Sequence, residues 1–194
     1  MVVGGGQVGA RRARSLAQAK AQVVLVAERL ADETGLEDVT VVRQPYRSEY
    51  LDGAFLVFAC TDDRAVNARI ARDARLAGAM VNTADQPEDC DFLMPATFGD
   101  GEVVVAVSTG GSAPALAANL RDWLQPACPA GVGGFAQAIA KLREALRDRV
   151  PQADRRAEIM QALCARDMLE AFCNQGAAVL EGKLNELLAS QSGG

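Results

Sequence analysis

Three glycines near the start of the chain, Gly4, Gly6 and Gly9, have the spacing of a dinucleotide-binding loop. They follow an apolar strand fragment and precede a segment with helical periodicity. In that context the glycines allow a tight turn, close approach of the backbone to a pyrophosphate, and close packing of helix on strand. The alternative interpretation is an ordinary turn, because glycine-rich connections between strand and helix are common in α/β proteins.

An acidic residue, Glu28, follows the apolar run Val23–Val26, at roughly the 20-residue distance that the dinucleotide fingerprint predicts. A carboxylate at this position bonds the adenine ribose hydroxyls and repels a 2′-phosphate, which favours NAD over NADP. The adjacent Arg29 weakens that preference.

Two further polar groups follow predicted strands and point to the same edge of a sheet. Thr61 and Asp62 come after the run Phe55–Ala59, where they contact a cofactor or, alternatively, where Asp62 caps the next helix. Asn82 ends the predicted strand that begins at Met80, and Asp85 follows it. A carboxylate beside a bound nicotinamide accepts the proton that leaves the substrate with the hydride, whereas the alternative for Asp85 is a turn residue bonded to its own backbone.

The segment Ser108-Thr109-Gly110-Gly111-Ser112 leads from a predicted strand into a predicted helix. Successive backbone N–H groups in such a segment form a concave anion site, which suits a substrate rich in carboxylates. A flexible turn is the alternative. The arginines of the first helix, Arg11, Arg12 and Arg14, are interpreted as a solvated face, with steering of acidic ligands as the alternative.

The composition excludes several classes of protein. The chain of 194 residues has no histidine, which rules out a Ser-His-Asp triad and removes the commonest metal ligand, so we expect no metal site. Its net charge of −5 argues against a nucleic-acid-binding protein. No apolar run is long enough to span a membrane. Five cysteines without a CxxC pair indicate reduced thiols, and hence a cytoplasmic protein.

Apolar runs alternate with helical patterns over the first half of the chain, which predicts an α/β fold with a Rossmann-type parallel sheet. After Pro95 a β run at Val103–Val107 and a helix at 113–124 follow, too small to bury their own apolar faces; we expect a homodimer there. The remainder is predicted to be helical. The expected divisions are a dinucleotide-binding domain at 1–95, a small α+β dimerisation segment at 96–125 and a helical C-terminal domain at 126–194.

Five motifs, in this order and spacing, resemble the precorrin-2 dehydrogenase family, which includes the first module of siroheme synthases. They are Val3–Ala13, Ala59–Asp63, Val81–Asp85, Asp91–Ala96 and Ala106–Ala117. The resemblance implies NAD-dependent oxidation of the tetrapyrrole precorrin-2 to sirohydrochlorin by a homodimer. It covers residues 1–125 well and the helical remainder only in kind.

The resemblance also assigns roles to residues. It implies that Asp85 is the essential aspartate, that Asn82 is its polar neighbour, and that Gln7 and Val8 contact the dinucleotide opposite Glu28 and Arg29. Ser108, Thr109, Gly110 and Gly111 are expected to bind substrate, although Thr109 stands where some members have a phosphorylatable serine. Two alternatives remain: a bifunctional enzyme that also inserts ferrous iron, and an NAD(H)-sensing module without turnover.

Overall fold

The structure is a computed structural model that describes residues 1–84 and 86–189. The chain divides into two compact units, Met1–Met94 and the chain from Pro95 onwards. Within the described residues, no helix is both long and apolar enough to cross a membrane.

The first unit is built on a five-stranded parallel sheet in the order β3-β2-β1-β4-β5. Its strands are β1 (Val2–Val3), β2 (Val23–Val26), β3 (Val39–Val42), β4 (Leu56–Ala59) and β5 (Met80–Thr83). Two helices, α1 (Gln7–Gln18) and α2 (Arg64–Leu76), connect them. Short 3-10 helices lie at Ser48–Leu51 and Pro87–Asp89.

Alternation along the strands places successive side chains on opposite faces of this sheet. Val2 and Phe58 pack with Ala13 of α1 on one face. Val3 and Val57 pack with Ile70 of α2 on the other. Covering both faces explains why the central strands are continuous apolar runs rather than alternating ones.

The second unit begins with an antiparallel hairpin, β6 (Ala96–Asp100) and β7 (Val103–Val107), followed by α3 (Pro114–Leu124). Four further helices come next: α4 (Val132–Arg149), α5 (Ala153–Leu163), α6 (Arg166–Gln175) and α7 (Ala178–Ala189). Their core includes Phe135, Leu146 and Leu163. The predicted architecture of parallel sheet, small antiparallel element and helical end is confirmed.

Helix α4 begins at Val132, and its Gly133 packs directly on Asp100 of β6, where any Cβ would overlap the backbone. One local alternative needs correction. Asp63, and not Asp62, caps α2: its carboxylate accepts from the N–H groups of Ala65 and Val66 at 2.8 and 3.2 Å. The side chain of Asp62 is therefore not used by the helix.

Candidate functional site: a groove at the carboxyl edge of the parallel sheet

A groove of about 960 Å³ lies at the carboxyl edge of the sheet in the first unit. Its walls come from the loops after β1, β2, β3 and β4, from α2 and from the residue after β5. Strand order reverses at β1, with β2 on one side and β4 on the other, and ligands of open α/β sheets bind at such a point. Eight of the nine predicted cofactor-binding residues line the groove: Gly4, Gly6, Gln7, Val8, Glu28, Arg29, Thr61 and Asp62.

The glycines of the β1–α1 loop differ in what surrounds them. Gly4 has a φ of 117° and a Cβ there would overlap the carbonyl oxygen of Cys60. A Cβ on Gly9, the predicted cofactor residue outside the groove lining, would overlap the carbonyl oxygen of Gly4. Only at Gly6 within this loop would a Cβ meet open space. Gly4 and Gly9 are thus required by packing, whereas Gly6 leaves the backbone accessible from the groove.

Gly6 is also the residue that precedes α1. Its backbone is extended, with φ −69° and ψ 179°, and no side chain caps the helix. The first N–H groups of an α-helix have no acceptor within the helix. Together with the helix dipole, these N–H groups give the loop the chemistry of an anion site, directed at the groove.

The loop after β2 is fastened to the glycine loop through Gly5. Ala31 donates its N–H to the carbonyl oxygen of Gly5 at 2.8 Å, and a Cβ on Gly5 would overlap the carbonyl oxygen of Arg29. This packing places Glu28 and Arg29 in the groove wall beside the anion site, both exposed. A carboxylate in that wall suits the ribose hydroxyls of an adenosine.

Thr61 is held by a residue that sequence reasoning missed. The Thr61 hydroxyl donates to Oδ1 of Asn67 at 2.7 Å, and the Asn67 amide donates back to the Thr61 carbonyl at 3.0 Å. Asn67 is buried on the face of α2 that also carries Ile70, Ala71 and Ala74. A polar residue in an apolar helical stripe was the available signal, since buried amides need hydrogen-bond partners.

Asp85 lies outside the described residues, but its flanking segment is firmly attached to β5. Asp91 pairs with Val81 through its own N–H at 2.8 Å and through its carboxylate, which accepts the Val81 N–H at 2.9 Å. The Val81 N–H and Arg75 hold the pKa of Asp91 below its usual range. Closer in, the Thr83 hydroxyl donates to the carbonyl oxygen of Gln86 at 2.5 Å. The residues on either side of Asp85 are therefore held against β5, and Ala84 lines the groove.

Asn82 is buried on β5 and does not line the groove. Its amide nitrogen donates to the carbonyl oxygen of Phe92 at 2.9 Å. Phe92 in turn packs edge-on against Phe58, with ring centroids 5.5 Å apart. The structure thus gives Asn82 a role in holding the returning segment, and its contact with substrate stays a prediction.

The predicted substrate residues Ser108 to Gly111 belong to the second unit, where the loop bonds largely to itself. The Gly110 N–H donates to the Ser108 hydroxyl and the Ala113 N–H to the Thr109 hydroxyl, both at 3.2 Å. The Ser112 N–H donates to the Thr109 carbonyl oxygen. These three donors are used within the turn, which favours the turn interpretation for them; substrate binding by the loop stays a prediction.

Arg12 corrects the interpretation of the first helix as a solvated arginine face. Its guanidinium lies over the ring of Phe58, 5.2 Å from the centroid, and its buried Nε has no hydrogen-bond partner among the described residues. Burial lowers the pKa of Arg12. Arg14 instead pairs with Asp32 at 2.7 Å.

Comparison with known proteins bears on both the site and the whole chain. Residues 1–96 match the family described as "Putative NAD(P)-binding". The siroheme synthase of Chromobacterium violaceum is 34% identical over 98% of the chain and 41% of its own length. That of Methylococcus capsulatus is 40% identical over 78% of the chain and 33% of its own length. By sequence, the chain is a relative of the siroheme synthases over nearly its whole length.

The chain spans about two fifths or less of the length of these curated relatives. Among solved structures, the precorrin-2 dehydrogenase SirC superposes with a TM-score of 0.73 over 95% of this chain and 92% of its own, at 22% identity. At that identity the likeness establishes the fold. The match of residues 1–96 to an NAD(P)-binding family supports the groove as a dinucleotide site, and so does the geometry of the groove.

Sequence reasoning did not find the groove wall beyond Glu28. That wall contains Gln44, Pro45 and Tyr46 from the loop after β3, and Val66 and Arg69 from α2. None of these residues belongs to a spaced motif. They meet because the loop after β3 passes beside α2, which only the three-dimensional structure shows.

Proposed function

We propose that this chain oxidises precorrin-2 to sirohydrochlorin with NAD as the hydride acceptor. The observation that carries the proposal is the groove at the reversal of strand order, with Gly6 open to it and the N-terminus of α1 directed into it. The names of the relatives, siroheme synthase and precorrin-2 dehydrogenase, supply the substrate.

The residues of the groove fit a dinucleotide at each of its parts. The N–H groups of Gln7 and Val8, at the start of α1, bind the pyrophosphate, and Glu28 bonds the adenine ribose. Thr61 and Asp62, at the end of β4, lie toward the nicotinamide half, with Asp62 free because Asp63 provides the helix cap. When bound, NAD accepts a hydride from the substrate.

We propose that Asp85 accepts the proton that leaves the substrate in the same step. Hydride loss from precorrin-2 is accompanied by loss of a proton, which requires a base, and the chain has no histidine. Asp85 follows directly on Ala84, which lines the groove. The residues on either side of Asp85 are tethered, by the hydrogen bond from Thr83 to Gln86 and by the pairing of Asp91 with Val81.

Asp85→Ala should lower the turnover number about 100- to 10,000-fold, the usual effect of removing a general base. NAD affinity should stay unchanged, because the dinucleotide loop is untouched. The matched control is Glu88→Ala, which removes an exposed carboxylate from the same segment. If Asp85→Ala forms NADH at a rate near that of wild type, Asp85 is a turn residue only.

The proposal itself is tested by anaerobic incubation of the protein with precorrin-2 and NAD, followed by absorbance spectroscopy. We expect the spectrum of sirohydrochlorin to appear only when NAD is present. Binding of NAD without any product would instead identify the NAD(H)-sensing module.

Metal insertion is the second candidate function, because the relatives are siroheme synthases and siroheme contains iron. Iron is a substrate in that reaction. The lack of histidine leads us to propose a dehydrogenase only. Sirohydrochlorin incubated with ferrous or cobaltous ion under anaerobic conditions tests this proposal, and insertion well above the uncatalysed rate would overturn it.

We further propose a homodimer, in the cytoplasm, formed through the hairpin and α3. Large apolar side chains are exposed there: Val104, Leu116, Trp123 and Leu124. No residue of β7 is fully buried within the described part of the chain. An uncovered apolar surface of this kind is typical of an interface between subunits.

Trp123→Glu should convert a dimer at micromolar concentration into a monomer, because it places a charge in the proposed interface. Light scattering measures the mass. Leu76→Glu is the control, since Leu76 is even more exposed than Trp123 (82% against 68%) but lies in the first unit. A wild-type monomer, or equal effects of both substitutions, would contradict the assignment.

A further inference from the structure

The wall of the groove beyond Glu28 contains a cluster of three side chains from the loop after β3 and from α2. The Tyr46 hydroxyl donates to the Asp73 carboxylate at 3.1 Å, and Arg69 forms an ion pair with the same carboxylate at 3.5 Å. The Arg69 guanidinium lies over the Tyr46 ring, 5.7 Å from its centroid. Tyr46 and Arg69 both line the groove, whereas Asp73 does not.

This cluster holds the arginine in place. Tyr46 is half-buried and packs against the apolar core beneath α2, so its ring is a fixed support. Burial and the bond to Asp73 raise the pKa of Tyr46, which keeps the phenol a hydrogen-bond donor to that carboxylate. Arg69 remains 56% exposed while its guanidinium is held from two directions. A planar cation that lies over an aromatic ring and remains more than half exposed is suited to stacking on a flat ring.

The order of the strands orients a bound dinucleotide in the groove. The pyrophosphate site lies at the end of β1, and the ribose carboxylate Glu28 follows β2. Beyond β2 the next strand is β3, whose loop provides Tyr46. In a dinucleotide that binds the glycine loop and Glu28, the adenine is attached to the ribose at Glu28. Tyr46 and Arg69 line the same groove as Glu28, and we assign them to the adenine side.

We propose that Arg69 is the stacking platform for the adenine base, with Tyr46 and Asp73 as the residues that position its guanidinium. The inference rests on the proposed function, because it takes NAD to be the ligand of the groove. It adds a residue that determines affinity for the adenosine half. The guanidinium contacts the face of the base and makes no hydrogen bond to its edge. Stacking, and not charge, is therefore the main contribution of Arg69 to the affinity.

The test compares ligands with and without adenine. Arg69→Met should weaken binding of NAD and of ADP-ribose by the same factor, about tenfold, the usual range for loss of one stacked base. Binding of nicotinamide mononucleotide should be unchanged, as read by ligand-observed NMR, which measures weak affinities. In turnover, KM for NAD should rise with kcat unchanged, because the adenine is remote from the hydride. The control is Arg72→Met, on the same helix but exposed and outside the groove lining.

Two further variants separate stacking from simple charge attraction. Arg69→Lys keeps the charge but not the plane, so it should lose most of the affinity that Arg69→Met loses. Tyr46→Leu removes the support and should show the same selectivity for adenine-containing ligands.

If Arg69→Lys binds NAD with wild-type affinity, the effect is due to charge, and the proposal that Arg69 is a stacking platform is wrong. Equal weakening of nicotinamide mononucleotide, or unchanged ADP-ribose binding in Arg69→Met, would also contradict it. If wild type binds neither NAD nor ADP-ribose, the proposed function fails together with this inference.

Discussion

The chain contains two glycine-rich turns that lead from a strand into a helix, one before α1 and one before α3. Their sequences invite the same interpretation, a backbone nest for anions, yet the two turns are built differently. Before α1, Gly4 and Gly9 are packed against backbone, and no side chain caps the helix. Before α3, Gly110 and Gly111 have φ values of 62° and 82°, and the hydroxyls of Ser108 and Thr109 accept two of the turn's own N–H groups.

The difference shows two ways in which a glycine-rich turn can be built. In the first turn, packing fixes the backbone, and Gly6, Gln7 and Val8 line a groove. In the second turn, side chains satisfy the backbone and glycine serves mainly to reach a left-handed conformation. Glycine content alone does not separate these cases. Neither does side-chain capping, which both helices lack; what differs is that hydroxyl groups accept N–H groups of the second turn itself.

The largest expected effect is at Gly6. Gly6→Leu should reduce NAD affinity by at least about 100-fold, because the side chain would occupy the space through which the pyrophosphate approaches the backbone. Folding should survive, since a Cβ at Gly6 would have no atom within 4 Å among the described residues other than its chain neighbours. Titration calorimetry on the folded variant measures the affinity. If Gly6→Leu binds NAD with wild-type affinity, the glycine loop does not belong to the NAD site.

Gly9→Ala should act on stability first. Its Cβ would overlap the carbonyl oxygen of Gly4, so α1 must move away from β1. We expect a loss of about 3 kcal/mol in the free energy of unfolding, at the upper end for overpacking. Urea denaturation of the variant against wild type measures it. A loss below about 0.5 kcal/mol would show that the turn is not packed as described.

The smallest effect is expected at Gly110, the counterpart in the second turn. Gly110→Ala should cost about 1 kcal/mol, because a φ of 62° is unfavourable for a residue with a Cβ although the space is open. Gly110→Asn should recover part of that loss, since asparagine tolerates this conformation. NAD affinity should be unchanged in both. A weaker NAD complex would mean that the second turn also belongs to the cofactor site.

The sheet was predictable from sequence because the apolar run at Val23 is typical of a strand buried on both faces, and the structure places a strand there. The glycine loop and Glu28 were predictable because their spacing is a property of one βαβ unit. The choice between adjacent aspartates was not. Asp63 caps α2 because its backbone is extended, with φ −103° and ψ 112°. Local sequence pattern does not predict which of two adjacent aspartates has this conformation.

The arginine at position 69 shows a second limit. Its pattern is that of an exposed helical residue, and only the path of the loop after β3 brings Tyr46 beneath it. Contacts between loops that are distant in sequence depend on the whole fold. Sequence reasoning found the part of the groove that one motif encodes and missed the part that tertiary packing creates.

The central claim is that the groove supports a complete oxidation, and stoichiometry tests it most directly. Precorrin-2 and NAD are mixed with the enzyme under anaerobic conditions, and NADH and sirohydrochlorin are quantified from the same absorbance record. The account predicts one NADH for each sirohydrochlorin formed by wild type, and almost no product from Gly6→Leu or Asp85→Ala. Sirohydrochlorin formed without NADH, or NAD bound with neither product, would contradict it.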